Sequence, residues 1–126
     1  MLEVGTVADT LEAMAVAGGG TLDLSTGAAA TRESGYYVGG AHGILPWLFP
    51  SDPGMARTLN ETGQWSDAVT SLAGQGAAYV GVWEDSGLYY VDATEWHAEE
   101  WDALEAGKAR GEIAVWDIAK GVELKC

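Results

Sequence analysis

Cations are scarce in this chain. Lysine and arginine together number six, against nineteen aspartates and glutamates, and the formal net charge is −13. Between Arg57 and Lys108 there is no cation, although that interval contains ten acids. Nucleic acid and anionic membrane surfaces are both held by Lys and Arg placed against phosphate. We therefore predict no direct contact with nucleic acid and none with membranes, and we expect a basic or nucleic-acid-binding protein as partner. The alternative is that the acidity only keeps the domain soluble.

Cysteine is almost absent. Because Cys126 is the single cysteine, a disulfide within the chain and a thiolate zinc site are both excluded. Oxidation of Cys126 would link two copies, so the oligomeric state stays open and a homodimer is possible. The opening stretch MLEVGTVADTLEAMAVAGGG lacks a basic segment, and Glu3, Asp9 and Glu12 interrupt its apolar residues. It therefore fits neither a signal peptide nor a membrane span, and we expect a cytoplasmic protein.

Proline is also rare, with three residues, whereas eighteen glycines lie between apolar runs. This pattern predicts tight turns in an ordered chain rather than disorder. The length of 126 residues and a 48% hydrophobic content predict one domain, residues 1–126, with a real core.

The first half predicts short elements. Residues 6–17 are expected to form a helix capped by Thr6, with Val7, Leu11 and Met14 on one face. Residues 20–40 are expected to form a hairpin with a loose loop. The proline-containing stretch 44–54 reads as a crossover that lays residues 47–49 onto the core.

Two short helices are then expected. The first, MARTLNET, would begin at Ser51 or Asp52, ahead of Pro53, and the second, DAVTSLAG, would be capped by Ser66. The first helix would carry Met55 and Leu59 on one face and the second would turn Val69 and Leu72 inward.

The second half gives a clearer pattern. AYVGVW, EDSG and LYYVDA predict a hairpin, with Val80 and Val82 on one face and Tyr79 and Trp83 on the other. Strands EIAVWDI and VEL follow a further helix at 94–111. The predicted order is α-β-β-α-α-β-β-α-β-β. Such mixing indicates an α+β fold, with a mainly antiparallel sheet built from hairpins and helices packed on one side.

The stretch TEWHAEEWDALEAGKARG, residues 94–111, is the most acidic region. If it is one helix, Trp101 and Leu104 form its buried stripe, together with His97 and the stem of Lys108. The carboxylates then form an exposed ridge on the other side, comprising Glu95, Glu99, Asp102 and, at its edge, Glu105. Of these, only Glu105 has a cation one turn later, at Lys108.

Metal and catalytic sites have weaker support. His97 and Glu100 have a spacing that suits a shared metal, but further ligands would have to come from His42, Asp52 or Asp85, and no spacing supports this. We predict no metal and no cofactor. Four carboxylates are candidates for acid–base chemistry, namely Glu84, Asp85, Asp92 and Asp117. Asp92 is expected to end a strand and cap a helix, and Asp117 is the one most expected to be partly buried. No nucleophile motif is present, so we assign no catalytic residue.

The tryptophans divide into two groups. Trp83, Trp101 and Trp116 occupy core-like positions in regular elements. Trp47, Trp65 and Trp96 lie near loops or helix ends, where an interface role competes with packing, since Trp often anchors binding hot spots.

Four stretches carry a resemblance: GGGTLDLSTG, SGYYVGG, YVGVWEDSGLYYVDAT and ARGEIAVWDIAKGVEL. They resemble those of small acidic proteins of actinobacteria and their phages. The resemblance implies a phage or mobile-element accessory protein that inhibits host defence. The run WEDSGLYYVDATEW and the overall acidity are also similar to acidic antirestriction proteins that mimic DNA.

The sequence thus favours a non-enzymatic binding protein. The expected partner-binding residues are Glu84, Asp85, Glu95, Trp96, Glu99, Asp102 and Glu105. The alternative is a small hydrolase-like enzyme that uses Asp117 or Asp92 with His97.

Overall fold

The computed structural model describes residues 4–126. The helices are α1 (Val4–Val16), α2 (Met55–Glu61), α3 (Gln64–Gly74) and α4 (Glu100–Ala109), with a 3-10 turn at Ala41–Gly43. The strands are β1 (Gly19–Asp23), β2 (Ala28–Ala29), β3 (Tyr36–Val38), β4 (Trp47–Pro50), β5 (Tyr79–Asp85), β6 (Leu88–His97), β7 (Ala114–Asp117) and β8 (Val122–Lys125). Within residues 4–126, no helix combines the length and apolar character needed to cross a bilayer.

The strands form one eight-stranded sheet in the order β2-β1-β5-β6-β3-β7-β8, with β4 paired to β6 off this path. Every pairing is antiparallel. The predicted α+β class and mainly antiparallel sheet are confirmed. Strand β6 pairs with β5 along one edge. Along its other edge, β6 pairs with β4 through residues 88–91 and with β3 through residues 95–97. A short gap at residues 92–94 separates these two partners.

The helices pack on one face of the sheet. Leu22, Val80, Val82, Val91 and Ala93 point to this face and join the main core with α1, α2 and α3. A smaller core under α4 contains Val38, Ala103 and Val115, and the strand register places Val38 and Val115 on the same face. The prediction of helices on one side is therefore confirmed.

Helix α1 buries the predicted stripe, because Val7, Leu11 and Met14 are all in the core. The proposed cap is wrong, since the helix already includes Val4 and Thr6 lies inside it.

The predicted hairpin at 20–40 is also wrong in its pairing. Strand β1 turns back onto the two-residue strand β2, and β3 pairs with β6 and β7 instead. The cause is a tight turn at Asp23, whose carboxylate accepts the backbone N–H of Ser25 and whose carbonyl accepts that of Gly27. The chain therefore reverses within a few residues and leaves β3 free to join the far side of β6.

The crossover at 44–54 contains a strand that was not predicted. Trp47–Pro50 pairs with β6 as a peripheral strand, which agrees with the rule that proline is confined to strand edges. Phe49 is buried and Trp47 half-buried against the core, whereas Leu48 points out and is 51% exposed. The expectation that all of residues 47–49 cover the core is wrong for Leu48, because strand alternation turns it the other way.

Glycine, rather than Ser or Asp, precedes both short helices. Gly54 before α2 and Gly63 before α3 have φ of 86° and 77°, and neither helix has a side-chain cap. The predicted caps Ser51, Asp52 and Ser66 are therefore wrong; Ser66 lies inside α3. The expected inward residues are mostly confirmed: Leu59, Val69 and Leu72 are buried, and Met55 is half-buried against the core.

The β5–β6 hairpin is confirmed with its predicted facing. Val80 and Val82 are buried among the helices, and Tyr79 and Trp83 lie on the opposite face. The last hairpin, β7–β8, is confirmed as well.

Candidate functional site

The stretch 94–111 is half strand and half helix. Strand β6 continues to His97, and residues 95–97 pair with β3. Helix α4 begins only at Glu100. The prediction of one helix is wrong for Glu95, Trp96 and His97, because backbone pairing with Tyr36–Val38 overrides their local preference.

The buried stripe of α4 consists of its smallest residues. Ala103 and Gly107 face the sheet, and Leu104 is partly buried beside them. A Cβ atom on Gly107 would lie 2.6 Å from the Cys126 sulfur and 3.0 Å from a Val115 methyl carbon, so the helix is seated very close to the sheet. There is no room for a large ring there. Trp101, predicted as core, is instead 71% exposed.

Glu95 belongs to a half-buried cluster rather than to an acidic ridge. Arg110 donates to its carboxylate, His97 Nε2 lies 2.8 Å from the same oxygen, and Arg110 also donates to the carbonyl of Gly39. Burial alone would raise the pKa of Glu95, but the hydrogen bonds from His97 and Arg110 outweigh it and lower the pKa below its usual value. The side chains of Glu95 and Arg110 are only 24% and 22% exposed. Glu95 therefore joins α4 to the sheet.

The remaining acids of this region are exposed. They are Glu99, Glu100, Asp102 and Glu105. Within residues 4–126 none of these four forms an ion pair, including the expected contact of Glu105 with Lys108. Glu100 and Asp102 lie in the first turn of α4, where the helix dipole favours negative charge. Together with Trp101 they make an exposed surface, which we call the α4 surface: Glu99, Glu100, Trp101, Asp102 and Glu105.

Glu84 and Asp85 lie elsewhere. They end β5 at the hairpin turn, and β6 then runs for ten residues before α4 begins. At about 3.3 Å per residue, the turn and the start of α4 are roughly 30 Å apart. The sequence-based set of seven partner-binding residues is thus divided between two ends of the sheet.

Two of the three tryptophans considered for an interface, Trp65 and Trp96, already make contacts within the chain. Trp65 is fully buried, and its indole N–H donates to the carbonyl of Ala56 at 2.7 Å. Trp96 donates to the carbonyl of Ser34 and carries the Arg32 guanidinium 3.9 Å from its ring centroid. The core positions predicted for Trp101 and Trp116 are wrong, because Trp101 is 71% exposed and Trp116 is 42% exposed.

The residues of the enzymatic alternative do not meet. His97 and Asp117 both pair with Tyr36, so β3 lies between them, and Asp92 faces the opposite side of β6 from His97. Asp117 is 3% exposed, which confirms the expected burial, and it accepts the backbone N–H of Lys120 in the β7–β8 turn.

Asp92 differs from its prediction. It lies inside β6 rather than at its end, and it is 4% exposed. The indole N–H of Trp83 donates to its Oδ2 atom at 2.7 Å. Burial raises its pKa, and the hydrogen bond from Trp83 opposes this only in part.

Glu112 is a partner of Asp92 that sequence reasoning missed. A Cβ atom on Gly39 would lie 2.5 Å from Glu112 Oε1 and 3.0 Å from Asp92 Oδ2, so both carboxyl groups approach the same point of the backbone. Burial, and then the negative charge of Asp92, raise the pKa of Glu112, while Arg110 lowers it. Asp92 and Glu112 are twenty residues apart in the chain. Asp92 lies at the gap between β3 and β4 along β6, and no local sequence motif predicts its approach to Glu112.

Other concave or metal-binding features are modest. No group of three or more His, Cys, Asp or Glu residues suited to a metal occurs in residues 4–126. An open cavity of about 600 Å³ is lined by His42, Leu45, Trp47 and Leu48. His97 is not part of it, so the two histidines do not share a cleft.

Comparisons with protein-family models, curated proteins and solved structures gave no match.

Proposed function

We propose that this protein acts by binding, and that the α4 surface docks a basic or nucleic-acid-binding protein. The single observation that carries the proposal is the environment of Trp101. It is 71% exposed and lies within four residues of four exposed carboxylates, none of which forms an ion pair within residues 4–126.

Trp101 provides a source of binding energy that acidity alone lacks. Tryptophan is strongly enriched among residues that dominate interface energetics, because its large ring loses much contact with water when it enters a pocket. Exposed charges around it steer a partner and exclude wrong ones, and contribute less to raw affinity. The surface therefore suits a partner with an apolar pocket bordered by Lys and Arg.

The footprint excludes part of the sequence-based set. Glu95 is already paired with Arg110, and Glu84 and Asp85 lie at the other end of β6. An ordinary interface buries about 800 Å² on each partner, which is roughly 30 Å across. Glu84 and Asp85 would lie at its limit or beyond it, so we assign docking to α4.

The biological setting that we propose is that of a phage or mobile-element accessory protein directed against host defence. The resemblance to small acidic phage-type proteins and the net charge of −13 support this setting. Carboxylates one helical turn apart are about 6 Å from each other, close to the phosphate spacing of nucleic acid. If the surface imitates DNA, its binding should weaken steeply as salt is raised.

The test compares two variants with the same change in charge. The first carries Glu99→Lys, Asp102→Lys and Glu105→Lys on α4. The second carries Glu33→Lys, Glu84→Lys and Asp85→Lys, three exposed positions away from it. Each is immobilised and used to capture proteins from a host lysate at low and high salt. We expect the first variant to lose the proteins that the wild type retains at low salt, and the second to keep them.

A third variant separates contact from general charge. Trp101→Ala removes the anchor without changing net charge, and it should reduce capture by at least tenfold, the scale of a hot-spot residue. Equal losses in both lysine variants, with no effect of Trp101→Ala, would mean that only overall acidity matters, and the α4 proposal would then be wrong.

A further inference from the structure

The open cavity beside β4 is formed by the two longest stretches of the chain that contain no Asp, Glu, Lys or Arg. These stretches are residues 34–51 and 68–83. The first contributes the loop from His42 to Leu48, and the second contributes Gln75 at the end of α3. No acid and no Lys or Arg therefore lines the cavity, although the chain as a whole has a net charge of −13.

Two leucines at this cavity are exposed to solvent. Leu45 is 80% exposed, the highest value among the exposed large hydrophobic residues of the described chain, and Leu48 is 51% exposed. Single exposed apolar residues need no explanation, but several that lie together beside a hollow indicate a contact surface. We call this surface the Leu45 patch; it comprises His42, Leu45, Pro46, Trp47, Leu48 and Gln75.

The backbone on both sides of Leu45 is fixed. Ile44 and Ala41 are buried in the main core, and the Ile44 N–H donates to the Ala41 carbonyl at 3.1 Å. Pro46 follows Leu45 and restricts it to extended backbone. The exposure of Leu45 therefore does not come from a loose loop, and little backbone entropy is lost when a partner covers it.

The turn before Leu45 contains a strained residue that lines the cavity. His42 has a φ of 56°, in the left-handed region that residues other than glycine rarely occupy. Among the described residues other than glycine, only Ser86 also has a positive φ, and it lies in the β5–β6 turn. Strained residues of this kind concentrate at functional sites, where the surrounding structure holds them in place. This observation is independent of the exposed leucines and indicates the same cavity.

Pairing through the main chain does not account for the patch. Strand β4 pairs with β6, and its other edge has no strand partner in the part of the chain that the structure describes. Pro46 lies directly before β4 and Pro50 ends it, and proline has no N–H to donate. Prolines placed in this way protect a sheet edge against the addition of a further strand. Contact at the patch must therefore be made by side chains.

We propose that the Leu45 patch joins two copies of this chain in a symmetric dimer, with Leu45 of each copy in the cavity of the other. A two-fold interface uses the same surface on both subunits, so that surface must be complementary to itself. The patch provides both parts, since an exposed leucine borders an apolar cavity of about 600 Å³.

The charge of the chain favours a second copy at this surface over a basic partner. Two copies with a net charge of −13 each repel one another wherever their acids approach. The Leu45 patch brings no carboxylate to the contact, whereas a basic protein would find there no carboxylate to pair with. A dimer is therefore tolerated at the patch and disfavoured at the acidic surfaces.

The size of the patch indicates a weak dimer. Eight residues line the cavity, whereas a standard interface involves about 20–30 residues on each side. We expect a dissociation constant of ~10–100 µM. Because salt screens the repulsion between the two copies, the constant should fall at least threefold between ~0.05 M and ~1 M NaCl. Docking at the α4 surface has the opposite salt dependence, so failure of one proposal leaves the other standing.

Sedimentation equilibrium measures the dimer over protein concentrations from ~10 µM to ~1 mM at both salt concentrations. A reductant is present throughout, because Cys126 is exposed and would otherwise link copies covalently. The indole N–H signal of Trp47 in a ¹H–¹⁵N spectrum, identified by its absence in Trp47→Phe, locates the contact. We expect this signal to shift along the same concentration series as the mass increases.

Two variants at position 45 test the contact itself. Leu45→Glu places a charge at the interface twice in each dimer, and it should raise the dissociation constant at least tenfold. Leu45→Ser removes the apolar contact without adding charge and should raise it at least threefold. The matched control is Val16→Glu, which adds the same charge at a position on α1 that is 73% exposed. It should change the dissociation constant less than threefold, and since both positions are exposed, all three variants should keep the far-UV circular dichroism of the wild type.

The proposal is overturned if the protein stays monomeric over the whole concentration range at both salt concentrations. It is also overturned if a dimer forms but Leu45→Glu and Leu45→Ser associate as the wild type does. A dimer that Val16→Glu weakens as much as Leu45→Glu would show that only total charge matters, and would overturn the assignment to the Leu45 patch.

Discussion

Arg110 and Glu95 form an ion pair that joins the end of α4 to the end of β6. Both side chains are less than one quarter exposed, and Arg110 extends the link to the carbonyl of Gly39. This pair occupies one of the six cations with Glu95, so Arg110 does not pair with the carboxylates of the α4 surface.

Glu95→Gln should therefore lower the free energy of unfolding by about 1–3 kcal/mol, the scale of a hydrogen bond to a charged group. Urea denaturation followed by far-UV circular dichroism measures this. Glu99→Gln changes an exposed carboxylate outside that pair and should stay within about 0.5 kcal/mol of the wild type. A Glu95→Gln variant as stable as Glu99→Gln would show that the ion pair adds nothing.

Stability should respond to pH in two opposite ways. The pKa of Glu95 is lowered in the folded protein, so its contribution is present above the ordinary glutamate pKa and is lost as pH falls through the folded value. The pKa values of Asp92 and Glu112 are raised, so the folded state binds their protons more tightly than the unfolded chain does. For these two groups, stability falls as pH rises from the ordinary carboxyl pKa through the raised one, and it stays reduced above that.

Asp92→Asn should flatten this second dependence. Chemical denaturation of the variant and the wild type at a series of pH values from 4 to 8 gives the comparison, with Glu112→Gln as the matched change. A fall in stability on the alkaline side that persists unchanged in both variants would assign it to other groups.

Trp65 and Trp101 should have opposite roles to those that the sequence indicates. Trp65→Ala removes a fully buried ring and its bond to Ala56, and should cost about 3–5 kcal/mol. Trp101→Ala removes an exposed ring and should change stability by no more than about 0.5 kcal/mol. Thermal unfolding of the two variants measures this difference. Similar melting temperatures for Trp65→Ala and Trp101→Ala would contradict the buried and exposed positions described for these two residues.

Gly107→Ala should destabilise the protein although alanine is the better helix former by about 1 kcal/mol. The new methyl group would lie against Val115 and the Cys126 sulfur, and overpacking of this kind costs about 1–3 kcal/mol. Cys126→Ala should recover part of the loss in the double variant, since it removes the nearer atom. Additive effects of the two changes would show that position 107 and the sulfur do not touch.

The parts of the fold that could be predicted are local. The β5–β6 hairpin was predictable because two β-rich runs flank the polar segment EDSG within one stretch. The turn itself is shorter than that segment, since Glu84 and Asp85 still pair with β6 and only Ser86 and Gly87 form the turn. The stripe of α1 was predictable for the same reason. Strand β3 could be recognised as a strand, but its partners β6 and β7 lie about sixty and eighty residues further on, and no local pattern specifies them.

The errors at the candidate site have a common physical cause. Glu95, Trp96 and His97 have ordinary helix preferences, but β3 offers them backbone hydrogen bonds, and tertiary pairing wins. Helical spacing with Leu104 predicts Trp101 in the buried stripe, whereas the close approach of α4 to Val38 and Val115 admits only Ala103 and Gly107. The sequence alone shows that the region is acidic. It does not show that Glu95 pairs with Arg110 while the acids of the α4 surface remain exposed.

The position of Cys126 makes α4 observable. The only thiol of the chain is exposed, yet it lies against the inner side of the helix whose outer side carries Trp101. A small fluorophore attached there would need no other cysteine to be removed. Its fluorescence would report movement of α4 away from the sheet without obstructing the outward surface. The label would therefore distinguish a partner that covers α4 in place from one that displaces the helix.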